Sequence, residues 1–311
     1  ETHLTLCQIN VGSSELVQVV CGAPNVRAGM LAAWIAPGAI VPASVHEDAP
    51  FVIGKRKMRG FESNGMLAGA DELDFGDDHS GIVEVDPEMA QPGDMLAQVF
   101  ELEDLILEIE NKSLTHRPDT FGIIGFAREV AGILGEKFVE PDLSQIGLLG
   151  AKEDLDCGTS TSTASNTLTI AISDASICPR YTAVVMEKHG ELKRKYLTWV
   201  DTMLAKSGMK PISPIVDATN YLMLLTGQPL HAFDYDKFVA VGQTKQPKIN
   251  IRLAKEGEKL VLLDGKEIDL NENDIVICSG DVPVALAGAM GGASTAIDES
   301  TRNIIIESAT F

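Results

Sequence analysis

The chain has 311 residues, 45% of them hydrophobic, enough to bury two or three cores, and no apolar run approaches the roughly 20 residues of a membrane-spanning helix. Its five cysteines (Cys7, Cys21, Cys157, Cys178, Cys278) are scattered, odd in number and without a C-x-x-C pair, which argues against a disulfide framework or zinc ribbon and for free thiols in a reducing cytoplasm. A net charge of −20 runs against a nonspecific nucleic-acid binder, whose affinity comes largely from neutralising phosphates, although a local patch can still bind.

The chain opens at Glu1 without a methionine and closes on the apolar run 303–311, so it reads as a piece of something longer. Residues 4–97 hold short β-branched runs (16–20, 38–42 and 81–85) separated by Gly, Pro and Asn, a pattern that predicts a small barrel or sandwich. Val20-Cys21-Gly22-Ala23-Pro24-Asn25 reads as a strand ending in a rigid turn. Arg59 and Glu62 are spaced to pair across a loop, and Asn64-Gly65 marks a second turn. Between residues 1 and 97 five Lys/Arg stand against fourteen Asp/Glu, and four of the five are Lys55, Arg56, Lys57 and Arg59. That cluster is either a charged hairpin or a phosphate-contacting patch.

Further on, Pro118 near a first helical position and Gly135 after Leu134 bracket a predicted helix. A Ser/Thr-rich stretch over 158–165 reads as a linker or exposed loop. Strands are predicted over 168–172 and 181–186, and helices over 192–207 and 214–225. Strands dominate from Ile249 on, with a hairpin turn at Leu263-Asp264-Gly265-Lys266.

The candidate chemistry lies in the second half. Asp217 and Asn220 share one face of the predicted 214–225 helix. Gln228-Pro229 makes a turn and His231 comes just after it. A lone histidine of this kind is more often a structural hydrogen-bonder than a catalyst. No Ser or Cys nucleophile motif stands nearby, and no H-x-x-x-H spacing suggests a metal. Gly291-Gly292 leads into no clear helix, which excludes a phosphate-cradling P-loop.

Three groups of residues carry a resemblance. The stretches 20–27 and 59–67 resemble the tRNA-binding domain shared by bacterial phenylalanyl-tRNA synthetase β chains, methionyl-tRNA synthetase tails and free-standing tRNA-binding proteins. That likeness implies an OB-fold β-barrel. The segment 104–111, with His116-Arg117-Pro118-Asp119 and the helix from Gly125, resembles the region after the barrel in the synthetase β chains alone. There the barrel is inserted in another small domain, so the helix is expected to lack part of its packing partner. Residues 211–234, 285–292 and 304–307 closely resemble the B3/B4 editing domain of the same family.

The resemblance implies a multidomain α+β chain. A tRNA-binding barrel would span 1–98, the second half of a B1-like small domain 99–173, and a C-terminally truncated, mixed α/β editing domain 174–311. It further implies that an editing pocket hydrolyses tyrosine wrongly esterified to tRNA(Phe). In that pocket Thr219, Asn220, His231 and Glu307 would act on the ester, with Glu307 receiving the phenol and Gly288, Gly291 and Glu307 holding the substrate. Lys55, Arg56, Lys57, Arg59 and Asn25 are the residues implied to touch tRNA. The implied partners are tRNA(Phe) and an α subunit, in an α2β2 assembly in the cytoplasm, with neither DNA nor a membrane. Aminoacylation, with its ATP and Mg²⁺, belongs to that α subunit, and no cofactor or metal is expected on this chain. Two plainer readings stand beside these: Glu307 as a solvated strand-edge carboxylate with Gly291-Gly292 a simple turn, and the whole chain as a non-catalytic tRNA-binding module.

Overall fold

The computed structural model describes residues 3–141, 168–187 and 196–311. The Ser/Thr-rich stretch 158–165 and Cys157 therefore lie outside the described residues. The chain forms two compact units, Glu1–Glu110 with Lys193–Asp217, and Asn111–Leu192 with Ala218–Phe311.

In the first unit β1 (Thr5–Ile9) pairs with β2 (Val17–Cys21), β3 (Leu31–Ala32) with β8 (Glu84–Val85), β4 (Trp34–Ile35) with β7 (Met66–Leu67), and β5 (Lys55–Met58) with β6 (Phe61–Asn64). Each pair is antiparallel. The expected barrel is present as these four ribbons and not as one closed ladder. Where β2 meets β6, side chains replace the backbone ladder: Val20 N–H donates to Ser63 Oγ at 3.0 Å, and Gln18 Nε2 donates to Glu62 O at 2.7 Å. The expected strand over 38–42 is reduced to a single bridge between Ile40 and Val52, because Pro42, which has no N–H to offer a ladder, opens a 3-10 turn. Cores form around Ala33, Ile35, Val41, Ile53, Ala68 and Leu73, and around Val19, Cys21, Leu67 and Ile82. Alongside lie α1 (Leu96–Val99) and α3 (Trp199–Lys206), the described part of the predicted 192–207 helix. Its start is fixed by a capping box between Thr198 and Asp201, and Leu197 packs with Val85 and Phe100.

The second unit carries α2 (Gly122–Leu134), which Gly135 ends in the left-handed conformation as predicted. Its start is later than Pro118 suggests. Pro118 opens a separate 3-10 turn, and Phe121, which is extended, interrupts the chain before the helix begins. Leading into this unit, α4 (Pro214–Thr226) precedes β11 (Leu230–Asp234) and α5 (Tyr235–Gly242). A five-stranded sheet runs in the order β17 (Met290–Gly291), β16 (Val282–Leu286), β15 (Ile275–Ser279), β12 (Lys248–Leu253), β9 (Thr169–Ile172). Only the β12–β9 pairing is parallel. A three-stranded antiparallel sheet places β18 (Ile304–Thr310) between β10 (Arg180–Met186) and β11. One core joins residues of both sheets and α5, with Phe233, Phe238, Ile249, Ile251 and Ile305 almost wholly buried. Each such side chain contributes roughly 1.5–3 kcal/mol of apolar burial. A hairpin of β13 (Lys259–Val261) and β14 (Glu267–Asp269) turns at 262–266, as the sequence predicts.

Candidate functional site

The central strand β18 carries the site. Its three isoleucines make a strong strand former, and Ile304 and Ile305 are fully buried. Side chains alternate across a strand, so Ile305, Glu307 and Ala309 share one face. The ladder sets Ala183 on one side of Glu307 and His231 on the other. Tyr181 stands opposite Ala309, and Phe233 opposite Ile305, on that same face. It is the face packed into the core, which is why a carboxylate and an imidazole come to lie among apolar side chains.

Glu307 is 8% exposed, and its Oε2 is buried without a hydrogen-bond partner. A carboxylate stripped of water resists ionising, and burial pushes this one up to about 7. The hydroxyl of Tyr181 is also buried without a partner. It lies near enough to Glu307 to hold the carboxyl below the value that burial alone would give, yet no hydrogen bond of good geometry joins the two. Burial, reinforced by Glu307, keeps the phenol well above its ordinary range, so it stays protonated.

His231 is half-buried, and the desolvation of its ring alone lowers the imidazole to about 4. Its ring meets Phe233 edge-on at 4.5 Å between centroids. It also lies directly against Gly291, where a Cβ would fall 2.6 Å from Nε2. The turn after β13 holds Gly291 in place, with Leu263 N–H donating to its carbonyl at 3.0 Å. The space that a missing side chain leaves at Gly291 is thus filled by an imidazole of this chain. Gly288, with φ of 67°, lies in the β16–β17 turn, and a Cβ there would meet the Phe311 ring at 3.9 Å.

The structure brings Glu307, His231 and Gly291 together, and Gly288 three residues away on the adjoining turn. Thr219, which is buried, and half-buried Asn220 lie on a separate element, α4. Asp217 accepts the Ile212 N–H at 2.7 Å and so anchors that helix. Two neighbours of the site are not evident from sequence. Gln228 Nε2 donates to Ala309 O at 3.1 Å, tying the turn before His231 to the strand that carries Glu307. Tyr181 is the other; the alternation of 181, 183 and 185 marks an inner face, but only the register puts it beside Glu307. Among the described residues no group of three or more His, Cys, Asp or Glu is arranged to hold a metal ion.

In the first unit Lys55, Arg56 and Lys57 are exposed along β5, and Arg59 is exposed in the turn to β6. Arg59 and Gly60 both have positive φ (47° and 93°), the two-residue hairpin geometry that matches strand twist and that glycine adopts without strain. Lys57, and not Arg59, faces Glu62 in the register. The Arg56 guanidinium lies 5.4 Å from the Phe51 ring centre, and Phe51 and Phe61 are both exposed. Cations interleaved with exposed rings suit phosphates and unstacked bases. Asn25 is engaged differently, donating to Ile82 O at 2.8 Å and accepting from Ile82 N at 3.0 Å.

Two family models match the chain, the "Putative tRNA binding domain" over residues 1–94 and the "B3/4 domain" over residues 177–311. Among similar proteins is the "Phenylalanine--tRNA ligase beta subunit" of Desulfotalea psychrophila, 38% identical over 99% of this chain and 34% of that protein. The proteins of the same name from Xanthomonas euvesicatoria and Streptococcus mutans are 38% and 39% identical over 99% and 100% of this chain, and 35% and 36% of their own lengths. The chain thus spans about a third of the curated relatives it matches. A solved structure, an N-terminal fragment of the phenylalanyl-tRNA synthetase beta-subunit from Pyrococcus horikoshii, aligns at a TM-score of 0.34 and 15% identity over 62% of this chain and 52% of that one.

Proposed function

We propose, from the premise that the chain belongs to the phenylalanine–tRNA ligase beta-subunit family and carries its tRNA-binding and B3/4 domains, that it is the N-terminal part of such a subunit and hydrolyses tyrosine misattached to tRNA(Phe). Residues 174–311 are the editing domain, 99–173 the second half of a B1-like domain, and 1–98 an OB-type module that grips tRNA with Lys55, Arg56, Lys57 and Arg59. The observation that carries the reading is the buried Glu307 Oε2 with no partner of its own. A pocket built to bond a hydroxyl separates tyrosine from phenylalanine by roughly 10⁴–10⁵, because the analogue lacking the hydroxyl leaves a buried group unpaired.

In the reaction water attacks the ester carbonyl carbon, the bond from that carbon to the ribose oxygen breaks, and free tyrosine and a tRNA 3′-terminal hydroxyl are released. Thr219, Asn220 and His231 orient the water and the ester carbonyl, Gly288 and Gly291 border the bound aminoacyl group, and Glu307 takes the phenol. His231, neutral at physiological pH because burial lowers it to about 4, serves as a positioning group. In the full α2β2 enzyme of the cytoplasm, ATP and Mg²⁺ act on the α subunit, and this chain needs neither for hydrolysis.

The test is deacylation of Tyr-tRNA(Phe) by the full α/β enzyme carrying Glu307→Ala. Loss of Tyr-over-Phe selectivity is expected. Unchanged hydrolysis and selectivity would leave a non-catalytic tRNA-binding module.

A further inference from the structure

We infer that Tyr181 is a second hydroxyl-recognising residue of this site, paired with Glu307 so that the phenol oxygen of a tyrosyl ester is held from two sides. The inference rests on the editing reading and extends it to a residue on another strand.

Tyr181 and Glu307 sit on neighbouring strands of one ladder, two residues apart diagonally, on the same inward face. Each keeps a polar atom fully buried and unpartnered, Oη on one and Oε2 on the other. Buried polar groups are nearly always bonded, so two orphans side by side call for an explanation. A ligand hydroxyl supplies one: it donates its proton to the Glu307 carboxylate and accepts from the Tyr181 O–H, so a single atom satisfies both. Tyr181 can fill the donor role because burial and its acidic neighbour keep the phenol protonated. Its ring is braced edge-on by Phe311, with 6.5 Å between centroids. A phenylalanyl ester would leave both groups unsatisfied, so the pair sharpens selectivity beyond what Glu307 achieves alone.

The experiment compares kcat/KM for hydrolysis of Tyr-tRNA(Phe) and Phe-tRNA(Phe) by the full α/β enzyme, wild type and Tyr181→Phe. The Tyr-over-Phe ratio is expected to fall by about 10-fold or more, mostly through KM for the tyrosyl substrate. A merely structural role would lower both substrates together and leave the ratio in place, which would overturn the inference while the editing reading stood. A wild-type enzyme that does not hydrolyse Tyr-tRNA(Phe) would sink both. Should Tyr181→Phe fail to fold, 3-fluorotyrosine at position 181 gives a second readout. Its fluorine resonance should shift on adding 3′-tyrosylamino-3′-deoxyadenosine and stay put with the phenylalanyl counterpart. Equal responses to the two would also overturn the inference.

Discussion

His231 and Glu307 face one another across the β11–β18 ladder with their usual order of proton affinity reversed, the imidazole at about 4 and the carboxyl at about 7. In the unfolded chain the carboxyl titrates near 4.5 and the imidazole near 6.5. Between those two values unfolding therefore releases a proton from Glu307 and takes one up on His231. The two effects on stability oppose each other, and the wild-type pair contributes an almost flat profile.

Single variants should unmask the two slopes. With His231→Gln, Glu307 acts alone: it binds more protons folded than unfolded, so stability falls as pH rises from about 4.5 to about 7. With Glu307→Gln, His231 acts alone, and stability falls as pH drops from about 6.5 to about 4. Each slope, relative to wild type, should approach 1.4 kcal/mol per pH unit, as an order of magnitude. Urea melts across pH 4–8 measure it, and parallel profiles for all three proteins would contradict the assigned burial.

Gly291→Ala should be disruptive out of proportion to one methyl group, because the new Cβ meets the His231 ring. The ring must swing away or the β17 backbone must shift, at about 1–3 kcal/mol. Thermal melts should show that loss, together with reduced Tyr-tRNA hydrolysis. Gly288→Ala meets only the Phe311 edge at 3.9 Å, so its penalty should come from backbone strain at positive φ alone, about 1 kcal/mol.

Replacing Lys55, Arg56, Lys57 and Arg59 together by glutamine should weaken tRNA binding and flatten its salt dependence. Every phosphate that is no longer neutralised reduces the log–log slope by about 0.7–0.9. Binding titrations at several salt concentrations read this directly, and an unaltered slope would remove the hairpin from the interface. Asn25→Ala should instead act on stability, since both ends of its amide bond the backbone of Ile82; a loss of about 1–3 kcal/mol is expected with the salt slope unchanged.

Arg252, nearly buried, forms two hydrogen bonds with Glu258, at 2.8 and 2.6 Å. Glu258→Ala should cost about 3 kcal/mol by leaving a buried guanidinium without its counter-charge, held only by the Leu253 and Asp281 carbonyls, and the double variant Arg252→Met, Glu258→Leu should recover most of it. Chemical denaturation distinguishes the outcomes, and additive losses would argue against the pairing.

Strand β10, the 214–226 helix, the stop at Gly135 and the 262–266 turn are legible in the sequence because each follows from a local pattern: alternation, helical period, glycine punctuation. The barrel segment is harder, because whether ribbons join into a continuous ladder depends on nonlocal pairings such as Val20 with Ser63. Tyr181 is hidden for the same reason. Its neighbour on the sheet lies 126 residues away, and only register places it there. At Gly291 the sequence suggests room for substrate, whereas the structure gives the space above it to His231.

The strand order β10–β18–β11 has a temporal meaning. Neither outer strand bonds to the other; both wait for residues 304–310 to fill the gap between them. On the ribosome, a nascent chain that has reached Arg302 already contains Tyr181 and His231 but has nothing to hold them in one sheet. The three-stranded sheet can close only once residues 304–310 are available to pair with both outer strands. Until then the edges of β10 and β11 that β18 covers have no partner strand, and an unpaired edge is open to pairing with other strands.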